Sequence, residues 1–103
     1  MDAQLKKGVL EICVLSAIEK QESYGYKIIS DLAPYVTVSE STLYPILRRL
    51  EQSGAVNSRS VEFNGRLRRY FSITPIGMEK LKDFIETMSD FERIKSFILR
   101  GRP

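Results

Sequence analysis

Histidine and tryptophan are absent from this 103-residue chain, and cysteine occurs once. Without histidine the chain lacks the commonest general base and the commonest metal ligand. A single cysteine can neither close an internal disulfide nor build a zinc site of the usual kind, and it suits a cytoplasmic setting. Cys13 is read as core filler rather than a redox thiol. No apolar run approaches the length of a bilayer-spanning helix, so no membrane partner is expected. The opening MDAQLKKGVLEICVLSAIEKQ sets lysines before an apolar stretch, as signal peptides do. Glu11 interrupts that stretch, however, and no small-residue cleavage site follows. No metal, cofactor or catalytic residue is expected, and an enzyme is the weakest function class.

What is present suffices for one folded domain with its own core, since 43% of residues are apolar. The charge is unevenly placed. Arg48, Arg49, Arg59, Arg66, Arg68 and Arg69 face only Glu51 and Glu62 between Arg48 and Tyr70, an excess above the whole chain's net charge of +3. Every cation in that stretch is arginine, whose planar fork suits phosphates and guanine edges. A solvated arginine-rich surface is the plain alternative.

Residues 5 to 20 are expected to form a first helix. It is apolar on nearly all sides (Val9, Leu10, Ile12, Cys13, Val14, Leu15, Ala17, Ile18), so its outward face is expected to meet a partner chain. Ser23 is expected to cap a second helix over residues 24 to 33, with Gly25 packed closely on a neighbour and Pro34 as the stop. In the stretch SESTLYPILRRL, Leu43, Ile46, Leu47 and Leu50 fall on one side of a third helix. Ser41, Tyr44, Pro45, Arg48 and Gln52 fall on the other. Pro45 sits early enough to cost only about one backbone hydrogen bond. Gly54 ends the helix. Residues 55 to 63 and 67 to 73 read as strands joined at Asn64-Gly65. Thr74-Pro75 opens a last helix running to about Arg100.

Helix, helix, helix, hairpin, long helix is the order of a winged helix-turn-helix: mostly α with a small β-hairpin. Residues 1–74 are expected to form the DNA-binding unit and 75–103 a C-terminal dimerisation helix, within one compact domain. In such a fold the third helix enters the major groove with its N-terminal residues nearest the bases. Ser39 or Ser41 caps it, and the free N–H groups there attract phosphate. Thr42 and Tyr44 offer hydroxyls, and Tyr44 and Pro45 an apolar surface. Arg48 reaches a guanine or a phosphate, or else pairs with Glu51 or Gln52. Arg49 points sideways toward the DNA backbone. Of Tyr24 and Tyr26, one belongs to the core and the other to a phosphate, with Tyr24 the candidate contact. In the wing, Arg66 and Arg68 are favoured over Arg69. Leu10, Val14, Leu81, Phe84, Ile85, Met88, Phe91, Ile94 and Ile98 are expected at a homodimer interface. The rival reading is a winged helix used only for protein–protein assembly, which would present an apolar face where Tyr44 and Arg48 stand.

The segments ESYGYKI, SESTLYPILRRLEQSG and RLRRYFSITPIG together resemble the PadR family of bacterial transcriptional regulators, over roughly residues 8 to 85. The STLYP segment followed by a leucine-arginine helix is specific to that family. The resemblance implies a homodimeric repressor on a palindromic operator in double-stranded DNA. Family recognition-helix positions match Ser39, Ser41, Thr42, Tyr44, Pro45 and Arg48, and the basic wing matches Arg66, Arg68 and Arg69. It also implies the family's short branch, which ends in a single dimerising helix. Some short members hold flat aromatic compounds with tryptophan, which this chain lacks, so a small-molecule effector stays open.

Overall fold

The computed structural model describes residues 1–102; Pro103, the last residue of the expected C-terminal unit, lies outside the described residues. The elements in order are α1 (Ala3–Ala17), β1 (Ser23–Tyr24), α2 (Gly25–Leu32), α3 (Glu40–Gln52), β2 (Val56–Phe63), β3 (Arg66–Ile73) and α4 (Pro75–Leu99). Asp2 starts α1, its carboxylate accepting from the N–H groups of Gln4 (2.9 Å) and Leu5 (3.1 Å). This helix ends at Ala17, three residues before the expected Lys20.

The hydrophobic sides of α1, α2 and α3 meet in one core. Val14, Leu15, Ile28, Leu43, Leu47 and Leu50 are all fully buried, each worth about 1.5–3 kcal/mol on leaving water. The core side of α3 is the one its spacing predicts, Leu43, Ile46, Leu47 and Leu50. Its end is a Schellman turn. Ala55 N–H bonds Leu50 O, Gly54 N–H bonds Glu51 O, and Gly54 takes the required positive φ of 80°.

The hairpin forms as its turn demands, with Asn64 and Gly65 both at positive φ (52° and 76°). Register runs from Val56 opposite Ile73 to Phe63 opposite Arg66. A third strand joins it. β1 pairs antiparallel with β3, Ser23 opposite Phe71 and Tyr24 opposite Tyr70, giving the order β1-β3-β2. Ser23 is thus a strand residue with a buried hydroxyl that finds no partner among the described residues, not the cap of α2. The capping position of α2 belongs to Tyr24, whose side chain makes no capping bond. Gly25 is the first residue of α2 rather than an interior one, so the usual penalty of a mid-helix glycine does not arise there.

Thr74 caps α4 through its hydroxyl, which accepts from Gly77 N–H at 3.1 Å, and Pro75 takes the first helical position. Gly77 and Leu81 are the buried residues of α4. Leu10, Val14 and Leu81, expected between two chains, instead lie inside this chain's own core at 5%, 0% and 5% exposure, because α1 packs against α2, α3 and the start of α4. The apolar residues that α1 leaves half-open are Val9, Ile12, Cys13 and Ala17, and burial pushes the Cys13 thiol pKa up. From Ile85 onward α4 runs clear of the core. Ile85, Met88, Phe91, Ile94 and Ile98 stand 44–56% exposed on it. No helix among the described residues is long and apolar enough to cross a membrane.

Candidate nucleic-acid interface

Three hydroxyls gather at the start of α3. Ser39 is the cap, its Oγ accepting from Thr42 N–H at 3.3 Å. That Oγ also lies 3.0 Å from Ser41 Oγ and donates to Thr42 Oγ1 at 3.1 Å. All three residues are exposed, so the cluster faces outward at the positive end of the helix dipole. Pro45 follows on the same side, half-buried, and spares a donor where Ser41 O can take water instead. One turn on, Arg48 is exposed and has no ion-pair partner among the described residues, so the pairing with Glu51 or Gln52 does not form.

Arg49 departs from the expectation of a backbone contact. It turns toward α1, where its Nε donates to Glu11 Oε1 at 3.2 Å. Glu11 also draws Lys80 Nζ to 3.5 Å, so one carboxylate ties α1, α3 and α4 together. Glu11 and Arg49 are too far apart in sequence for periodicity to pair them.

Tyr44 leans across to α2. A Cβ built on Gly25 would overlap its Oη and come within 2.9 Å of its Cζ. Only glycine leaves room for this contact, which is the close packing that the glycine signals in the sequence. Tyr44 remains 42% exposed, so its ring both fills the junction and faces outward. A groove of about 620 Å³ opens beside it. Tyr24, Gly25, Tyr26, Glu40 and Tyr44 line one wall, and the wing from Phe63 to Arg69 lines the other.

The three wing arginines have three different surroundings. Arg66 is exposed at the tip, without an ion pair among the described residues. Arg68 is half-buried, its guanidinium carbon 4.1 Å from the centre of the Tyr24 ring and 4.0 Å from that of Phe63. Arg69, on the opposite face of the strand as alternation requires, bonds Glu51 Oε1 at 2.8 Å and Ser58 Oγ at 2.9 Å, joining wing to α3. Sequence reasoning favours Arg68 over Arg69 as an outward group; the structure engages both side chains within the chain.

Neither tyrosine of the pair belongs to the core. Tyr24 is half-buried, edge-on to Tyr70 (ring centres 5.5 Å apart, planes at 72°), while Tyr26 stands 73% exposed in the first turn of α2. Behind Tyr70 stands Arg59, which bonds Glu22 through both Nε and Nη2. This hydrogen bond holds the Glu22 carboxyl below the usual carboxylate range. Sequence reasoning also passes over Lys6 and Lys7, which line a second groove with Ser41, Thr42 and Pro45 because α1 packs beside α3. No periodicity signals that proximity.

A hydroxyl-rich helix start, a free arginine one turn on and a basic hairpin beside it make a surface suited to a polyanion with readable edges. Comparison with known proteins agrees. The model of the transcriptional regulator PadR-like family matches residues 14–83. A transcriptional regulator of Mycobacterium tuberculosis is 28% identical over 91 residues, covering 87% of this chain and 85% of its own. The crystal structure of a PadR-like transcriptional regulator from Bacillus cereus superposes with a TM-score of 0.81 at 31% identity, over 97% of this chain and all of that one. A PadR family regulator from Eggerthella lenta gives a TM-score of 0.84 at 27% identity, over 96% of this chain and 88% of the other. With most of its length matched by the family model and its fold shared with these regulators, the chain belongs to the PadR-like family of transcriptional regulators.

Proposed function

We propose that this regulator is a repressor that binds a palindromic DNA operator as a homodimer in the cytoplasm. The observation that carries the reading is the exposed side of α3, where Ser39, Ser41, Thr42, Tyr44 and Arg48 stand together with a basic hairpin alongside. In the major groove the hydroxyl cluster lies against phosphate and Tyr44 and Arg48 against base edges. Arg66 reaches the flanking backbone or minor groove.

The dimer rests on α4. Its row Ile85, Met88, Phe91, Ile94, Ile98 is an apolar stripe of the kind that monomers rarely leave open. It continues from an apolar groove of about 450 Å³ walled by Ile12, Cys13, Leu32, Tyr35, Leu81 and Ile85. A second copy's α4 laid there covers both stripes by a two-fold operation. The DNA-binding unit then spans residues 1–74 and the dimerisation unit starts at Pro75. Two recognition helices related this way sit about 34 Å apart, one turn of DNA, which calls for a palindrome. A dimer on an operator that overlaps a promoter blocks polymerase, hence repression.

A gel shift with DNA from upstream of the chain's own coding region, against scrambled DNA, tests the reading. Retardation of the upstream fragment alone is the expected outcome. Equal retardation of both at physiological salt contradicts sequence-specific recognition.

A further inference from the structure

Two aromatic rings hold the guanidinium of Arg68. Arg68 stands on the central strand β3, and Phe63 of β2 and Tyr24 of β1, its two neighbours in the sheet, stack on it at 4.0 Å and 4.1 Å. The stack does not stop there. Tyr24 meets Tyr70 edge-on, Tyr70 carries Arg59, and Arg59 bonds Glu22 just before β1. One continuous ladder therefore runs from the residue preceding the Asn64-Gly65 turn, through the middle of the hairpin, to Glu22.

Its placement matters because the far half of the wing has little else to hold it. β1 covers only Tyr70 and Phe71 of β3, so beyond them the hairpin is two-stranded, and two-stranded ribbons are marginal in water. On the inner face Arg69 ties the hairpin to Glu51 of α3. On the outer face Arg68 ties it, nearer the tip, to Tyr24. Tyr24 also holds the capping position of α2, so the wing's angle is referred to the helix-turn-helix itself. A guanidinium packed against two rings gains a cation–π attraction from each, which holds its side chain to the sheet.

Resting on the DNA-binding reading above, we infer that Arg68 is a positioning residue: clamped between Tyr24 and Phe63, it fixes the wing against the helix-turn-helix and sets the reach of Arg66, without itself neutralising a phosphate.

The test uses the full-length chain with Arg68→Lys, Arg68→Gln, Phe63→Leu and the double change Arg68→Lys/Phe63→Leu. Amide hydrogen exchange in the free protein reads wing order. Operator titration over a range of salt reads affinity and the number of phosphates neutralised. Lysine keeps the charge but not the plane, and Phe63→Leu leaves Arg68 intact while removing one ring. The expected result is faster exchange from Val61 to Arg68 in each variant, with operator affinity about five- to tenfold weaker, as the loss of a partly desolvated cation–π pair implies. The double change should weaken binding little more than either alone, since both remove one clamp. The salt slope should stay that of the wild type in all four, Arg68→Gln included.

Wild-type affinity in Arg68→Lys, with a slope flattened by about 0.9 per phosphate in Arg68→Gln, overturns the inference and makes Arg68 a phosphate ligand. So does unchanged exchange in Arg68→Lys. A wild-type chain that binds no DNA refutes the DNA-binding reading instead, and exchange alone then decides whether Arg68 holds the wing.

Discussion

Gly25→Ala is a substitution whose effects on folding and on binding should part company. A Cβ at Gly25 would overlap Tyr44 Oη and stand 2.9 Å from Cζ. Ordinary carbon contact begins near about 3.5 Å, so the ring must swing by roughly 1 Å. The obstacle is the far end of a side chain that is 42% exposed, so the ring can move without disturbing the core. At the first position of α2 the interior-helix preference for alanine hardly enters, so the change in stability is that of moving one exposed ring. The unfolding free energy should therefore change by less than about 1 kcal/mol. Operator affinity should fall by about five- to 150-fold, because a well-placed base contact is worth about 1–3 kcal/mol of discrimination. Urea unfolding and operator titration of the same preparation measure the two quantities. In a Tyr44→Ala background the glycine change should add almost nothing, since the group it displaces is gone. Full operator affinity in Gly25→Ala would show that the position of Tyr44 does not matter to recognition. A loss of binding matched by an equal loss of stability would place the effect in the fold.

Gly77→Ala should do the opposite. Its Cβ would overlap the carbonyl oxygen of Ala55 and lie 2.7 Å from Ile73 Cγ1, and backbone cannot swing aside, so a cost of at least about 1–3 kcal/mol is expected in urea unfolding. Arg48→Ala should weaken binding to the operator more than to scrambled DNA, while equal losses on both would make Arg48 a phosphate contact. Arg66→Gln should flatten log affinity against log salt by about 0.9 for each phosphate no longer neutralised, and an unchanged slope would remove Arg66 from the interface. Phe91→Asp with Ile94→Asp puts charge on the exposed stripe of α4. Sedimentation should then report a folded monomer with much weaker operator binding, as a second half-site no longer contributes.

Much of this architecture is written locally. The side of α3 that is buried follows from a 3.6-residue spacing, and the hairpin from Asn64-Gly65, whose positive φ values few other pairs tolerate. Thr74-Pro75 and Ser39 mark their helix starts by chemistry that acts within one turn. What escapes such reasoning depends on partners distant in sequence. A two-residue strand such as Ser23–Tyr24 has no periodicity of its own and exists because β3 lies alongside. The Arg49–Glu11 pair and the Arg68 clamp depend on helix packing and strand register respectively. Leu10 and Val14 look available to a partner because an all-round apolar helix does not say which side its own chain covers. At the recognition surface the residues of α3 are legible because an exposed polar side opposite a core side is a local pattern. The wing arginines are legible as a group but not in their separate roles.

The central claim is that α3 and the wing grip DNA twice, through two copies related by a two-fold axis. Hydroxyl-radical footprinting on an operator selected from random duplexes measures this most directly. The account predicts a palindromic sequence with dyad-related protections whose centres lie about one helical turn, roughly 34 Å, apart, and the loss of both protections together when α4 carries Phe91→Asp and Ile94→Asp. A single asymmetric protection over a non-palindromic site, unchanged by those substitutions, would contradict it.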